Sequence, residues 1–77
     1  MDKLLSDIVK SIVDKPEDVC VFVNDSEDTR TFKVSVGEGD LGKVIGKKGK
    51  NVIALRTLLS AATIKECGKT ALIELVE

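Results

Sequence analysis

The sequence predicts a two-layer α+β domain, a three-stranded sheet with helices stacked on one face of it. Three observations predict this. Helical and strand periodicities follow one another in the order α-β-β-α-α-β. The chain has 77 residues, about half of the usual domain length of ~150, which holds one domain spanning 1–77. A chain so short buries only about 60–65% of its unfolded surface, so its core is thin, and helices beyond the needs of a thin sheet are best stacked on one side.

The first element is a helix over about Asp2 to Val13. Leu4, Ile8 and Ile12 recur at every fourth position, as do Leu5, Val9 and Val13, which makes one apolar stripe. Pro16 stops it, because the residue before a proline avoids helical angles. Val19-Cys20-Val21-Phe22-Val23 is a short β-branched run and reads as a strand. The cluster Asn24 to Asp28 reads as a turn. Phe32, Val34 and Val36 then alternate with Thr31, Lys33 and Ser35, a second strand with one buried face, and the two strands form a hairpin. Gly37-Glu38-Gly39 breaks the strand. Asp40 is a good N-cap for a one- or two-turn helix with Leu41, Val44 and Ile45 on its apolar face. Gly46 to Gly49 breaks that helix at once. A longer helix runs from about Lys50 to Glu66, with Val52, Leu55, Leu59 and Ala62 on a stripe that Ile53, Leu58, Ala61 and Ile64 broaden. Gly68 sits at its C′ position. Thr70 to Val76 is the last strand. Both of its faces are largely apolar, which predicts a place deep in the sheet. Phe22 and Phe32, in the strands, are both expected in the core.

Composition narrows the chemistry. Hydrophobic residues make up 43% and charged residues 32%, ordinary for a soluble globular domain. The longest apolar run, Val19 to Val23, falls far short of the ~20 residues that cross a bilayer. The start of the chain carries acids where a secretory leader carries bases and an apolar stretch. The expectation is a cytoplasmic protein with no membrane association. The chain has no His, Trp or Tyr. Without His, the common zinc constellations and the usual neutral-pH general base are gone. Cys20 and Cys67 show no CxxC spacing and read as two reduced, partly buried thiols. No catalytic residue, metal, cofactor or small-molecule substrate is expected.

The formal net charge is −1, but its distribution is uneven. Residues 1–38 carry nine acids against five bases, and residues 39–66 six bases against two acids. From Lys43 to Arg56 there are five bases and no acid. Distant charges are screened beyond about 8–10 Å, so such a stretch attracts anions even on a nearly neutral molecule.

That stretch contains three overlapping glycine patterns. Gly37, Gly39 and Gly42 spell G-x-G-x-x-G after a strand, but Gly46 and Gly49 end the following helix too soon for a dinucleotide site. Gly37, Gly42 and Lys43 fit G-x-x-x-x-G-K, but Val44 stands where a P-loop needs a hydroxyl for magnesium. The third pattern, Gly46-Lys47-Lys48-Gly49 between two helices, has a physical use. Its glycines permit a sharp turn and close backbone approach to a ligand. The helix beginning near Lys50 directs its unpaired N–H groups and positive dipole end at the loop. Lys47 and Lys48 project from the tip, with Lys43 and Lys50 within a turn. Phosphate oxygens suit this arrangement.

Val44-Ile45-Gly46-Lys47-Lys48-Gly49-Lys50-Asn51-Val52 is similar to the V-I-G-x-x-G-x-x-I signature of the KH domain, a module for RNA and single-stranded DNA whose GXXG loop clamps about four backbone nucleotides. The order α-β-β-α-α-β resembles the type II KH topology. In size, and in the segments 14–19 and 54–58, the chain resembles the small single-KH RNA-binding proteins of bacteria (the KhpA family). The resemblance covers nearly the whole chain. It implies single-stranded RNA as the ligand, a role as RNA chaperone or post-transcriptional regulator, and pairing with a second KH-containing protein or with itself. It places RNA contacts at Gly46, Lys47, Lys48 and Gly49, with Lys43, Ile45, Lys50, Asn51 and Arg56 around them. Ile45 is either an apolar wall for bases or plain core. Arg56 either lines the groove or pairs with an acid. The scarcity of aromatics removes base stacking, worth about 1–3 kcal/mol per base, and so predicts weak, salt-sensitive and poorly sequence-selective binding. The rival reading is a protein-interaction subunit whose helical faces mediate assembly while the glycine loop is inert.

Overall fold

The computed structural model describes residues 2–77. Helix α1 spans Asp2–Ile12, a single 3-10 turn follows at Pro16–Asp18, and strands β1 (Cys20–Asp25) and β2 (Thr29–Ser35) form a hairpin. Helix α2 is Leu41–Ile45, a second 3-10 turn covers Lys47–Gly49, helix α3 is Lys50–Cys67, and strand β3 is Thr70–Val76. The order is the α-β-β-α-α-β read from the sequence.

The strands lie in the order β1-β2-β3. β1 and β2 are antiparallel, with Val21 opposite Val34 and Val23 opposite Phe32. β2 and β3 are parallel, with Phe32 beside Ile73 and Val34 beside Leu75. The hairpin runs two residues further than the β-branched run, because Asp25 pairs with Arg30 at its end. The Arg30 guanidinium donates two hydrogen bonds to the Asp25 carboxylate, at 2.7 and 3.2 Å. These hold that carboxyl below its usual range.

α1 packs on β1 and α3 on β3, both on the same sheet face. Between them lies the core of Leu5, Val9, Val13, Val19, Phe32, Val34, Val36, Val44, Leu55, Leu59 and Ala71. Of the two α1 series, Leu5, Val9 and Val13 point inward and Leu4 outward. Val36, at the exit of β2, belongs to this core.

Four expectations are corrected. β3 is an edge strand and not a deep one. The short hairpin makes β1 and β2 neighbours, so β3 can join only at an edge; it pairs with the free side of β2, and that leaves β2 central. Ala71 is buried under α3, while Leu72 on the opposite face is 51% exposed. Phe22 is 61% exposed and not in the core, for a related reason. It pairs with Lys33 and Phe32 with Val23, so the two phenylalanines lie on opposite faces, and the helices cover only one. Cys20 and Cys67 are exposed free thiols rather than partly buried ones. Asp40 makes no side-chain cap bond to α2. Its carboxylate instead accepts the backbone N–H groups of Asp14 (3.3 Å) and Lys15 (2.9 Å). Those two amides are exposed to new partners where Pro16 ends the first helix, and Asp40 is 2% exposed as a result.

Candidate nucleic-acid interface

The basic stretch folds into a short helix, a tight loop and a long helix. α2 ends when the Gly46 N–H bonds the Gly42 carbonyl at 2.9 Å. The chain then turns on three residues with positive φ: Gly46 (77°), Lys48 (55°) and Gly49 (77°). Gly49 N–H returns to the Gly46 carbonyl at 3.1 Å. Gly46 is required on two counts. Its φ is left-handed, and a Cβ there would sit 2.7 Å from Asn51 Cγ and 2.9 Å from the Asn51 amide nitrogen. Gly49 is required for conformation alone, since an added Cβ would meet Val52 and Ile53 only at ordinary contact distance.

α3 starts at this loop with Gly49 as N-cap, no side-chain cap bond and no acid in its first turn. The Gly49 and Lys50 N–H groups are taken by the Gly46 and Lys47 carbonyls of the preceding 3-10 turn, and the 18-residue helix still directs its positive dipole end at the loop. Lys47, Lys48 and Lys50 are exposed at the same place. Among the described residues none of the three has a carboxylate within ion-pair distance. Three cations and a helix N-terminus therefore converge on one small, exposed loop.

The remaining candidates divide. Ile45 is 36% exposed while its neighbour Val44 is fully buried, so Ile45 lies at the surface beside the loop and not in the core. Arg56 is exposed on α3, about 9 Å along the helix axis from Lys50 at 1.5 Å per residue. It has no acid partner among the described residues. Asn51 is a strut: its side-chain amide donates to the Lys43 carbonyl at 2.9 Å, which ties the start of α3 to α2 beneath the loop. Lys43 is already engaged. Its ammonium is hydrogen-bonded to the Asp14 carboxylate and lies 3.7 Å from Asp40. The bond to Asp14 raises its pKa above the usual lysine value.

Sequence reasoning missed Asp14 and the second role of Asp40. No spacing signal marks them, because Asp40 meets the Asp14 and Lys15 amides, and Asp14 meets Lys43, across 25 to 29 residues of chain. Among the described residues no group of His, Cys, Asp and Glu side chains is arranged to hold a metal ion, and no helix is long and apolar enough to cross a membrane.

With this geometry in place, the relatives are informative. A family model described as the KH domain of KhpA/KhpB matches residues 2–75. The chain is 42% identical over 77 residues to the RNA-binding protein KhpA of Listeria monocytogenes, covering 100% of both. It is 43% identical over 76 residues to that of Clostridium perfringens, covering 99% of this chain and 100% of the relative. For the protein of the same name from Thermotoga maritima the figure is 43% over 61 residues, 79% of this chain and 81% of the relative. No solved structure matches with significance.

Proposed function

The chain belongs to the KhpA/KhpB family of KH domains, a non-enzymatic family, and from that membership we propose that it binds RNA by clamping the phosphate backbone of a short single strand at the loop Gly46–Gly49. One observation carries the reading: Lys47, Lys48 and Lys50, without acid partners among the described residues, surround the uncapped start of α3. Helix N-termini with flanking lysines favour phosphate oxygens, and the loop glycines let the backbone approach the strand. Ile45 supplies an apolar wall beside the loop and Arg56 a further cation on α3. With about three phosphates neutralised, the log–log salt slope is about −2, from ~0.7 per phosphate on single strands. Such binding is weak and tolerant of sequence, which suits an RNA chaperone or a general post-transcriptional regulator.

A second observation favours assembly alongside RNA binding. α3 carries large apolar side chains outside its covered side as well: Ile53, Leu58 and Ile64 are exposed among its polar residues. Exposed apolar side chains of this size, rimmed by polar residues, mark an interaction surface. A second KH-containing protein or a second copy of this chain fits that surface, and joining two weak modules multiplies their affinity through effective concentration.

The double variant Lys47→Asp/Lys48→Asp tests the clamp. Both residues are exposed, so stability changes by no more than about 0.5 kcal/mol each, while retention of single-stranded RNA collapses. Undiminished RNA binding by this variant overturns the reading and leaves the chain as an assembly subunit.

A further inference from the structure

Lys43 stands apart from the other cations of the loop region. It lies one helical turn before Gly46, close enough for its flexible four-carbon stem to reach a phosphate at the loop, since residues three apart on a helix are about 5–6 Å from one another. Yet its ammonium is held by the Asp14 carboxylate. Both ends of that ion pair are anchored. The Asp14 backbone is fixed because the buried Asp40 carboxylate accepts its N–H and that of Lys15. The Lys43 backbone is fixed by α2 and by the amide of Asn51 on its carbonyl. With side chains 44% and 72% exposed, the pair is a surface one, strong enough to bias where Lys43 rests and weak enough for a phosphate to displace. Asp40, at 3.7 Å and with its oxygens turned to the two amides, gives Lys43 no hydrogen bond of its own. Asp14 is therefore the group that decides where Lys43 points.

We propose that Asp14 sets the affinity of the loop for RNA phosphate by holding Lys43 in a competing ion pair that a bound strand must displace. Asp14 is a positioning residue in this scheme and touches no RNA. The scheme rests on the phosphate clamp argued above. It makes the exit of α1 part of the binding device: a strand that captures Lys43 releases Asp14, and by reciprocity anything that draws Asp14 away strengthens RNA binding.

The test is fluorescence anisotropy of a labelled short oligouridylate, titrated at several salt concentrations. The chains compared are the native one, Asp14→Asn, Lys43→Gln, their combination, a charge-matched control Glu17→Gln, and the loop double variant Lys47→Asp/Lys48→Asp. Asp14→Asn tightens binding about two- to five-fold, the range of a surface ion pair. The salt slope stays near that of the native chain, because the bound strand takes Lys43 in both chains and the number of phosphates neutralised is the same. Lys43→Gln weakens the native chain less than it weakens Asp14→Asn, and the combination shows no gain. Glu17→Gln, which removes one negative charge in the same segment without freeing Lys43, changes affinity less and leaves the slope as it was. The proposal is overturned if Asp14→Asn binds like the native chain, or if its gain persists with Lys43→Gln or is matched by Glu17→Gln, while the loop double variant still loses binding. If the loop double variant binds like the native chain, the clamp itself fails and this scheme with it.

Discussion

Gly46 carries two constraints at one position, and they set the cost of replacing it. A methyl group there meets Asn51 at 2.7 Å and must also accept φ of 77°. With ψ of 172° this backbone lies in a region essentially confined to glycine and costs another residue about 1–3 kcal/mol, and the contact adds to that because Asn51 is held by the Lys43 carbonyl. Gly46→Ala is expected to lower unfolding stability by about 2–3 kcal/mol in a urea titration and to weaken RNA binding through displacement of the loop. A change below about 0.5 kcal/mol would contradict the stated geometry. Thr63 offers the opposite case. It is fully buried on α3, and its hydroxyl has no hydrogen-bond partner among the described residues. An unsatisfied buried hydroxyl costs about 1–3 kcal/mol, so Thr63→Val, which keeps the shape, is expected to raise the urea midpoint by the equivalent of about 1 kcal/mol. A lower midpoint would show that the hydroxyl is bonded. The glycine pattern that marks Gly46 and Gly49 is legible in the sequence, as are Lys47 and Lys48. The role of Asn51 is not, because its amide meets α2 through a hydrogen bond that spacing does not reveal.

At the scale of elements, the sequence is informative about identity and less so about neighbours. Every helix and strand is legible from apolar period and breakers, with ends displaced by one or two residues. Pro16 ends α1, and Gly46 and Gly49 bracket the loop. What periodicity cannot show is which side of a strand meets the helices. The run 19–23 is apolar at every position, so it does not say that Val21 faces inward while Phe22 faces solvent; the register with Lys33 decides it. The edge position of β3 is likewise a consequence of hairpin connectivity and not of its own residues, which are apolar on both faces. Asp40 was readable as a cap because it precedes a helix. Its actual partners, the amides of Asp14 and Lys15, lie 26 and 25 residues earlier, and only the packing of α2 against the exit of α1 brings them together.

For the molecule as a whole, the net charge of −1 conceals the feature that matters. The acids lie mostly before residue 39, and one of them, Asp14, returns across the fold to pair with Lys43. The other three lysines of the loop region are left to outside partners. The thin core leaves more apolar surface outside than a larger domain would. A cleft of about 170 Å³ opens between α1 and α3, lined by Leu4, Leu5, Ile8, Leu55, Leu58, Leu59 and Ala62. Leu58, at its edge, is 60% exposed. If this surface mediates assembly, Leu58→Asp converts the associated species to monomer in analytical ultracentrifugation while the loop keeps its affinity for a short oligonucleotide. An unchanged sedimentation coefficient would place the interface elsewhere.

The central claim is that an exposed, glycine-hinged loop at the head of α3 holds the backbone of an unpaired RNA strand. The most direct measurement is an NMR titration of the labelled protein with short single-stranded RNA, following every backbone amide. The account predicts that the largest shifts fall on residues 46–50, with smaller ones at Ile45 and Arg56, and that they fade as salt is raised. Shifts centred on the open sheet face around Phe22 and Leu72, or none within residues 42–56, would contradict it.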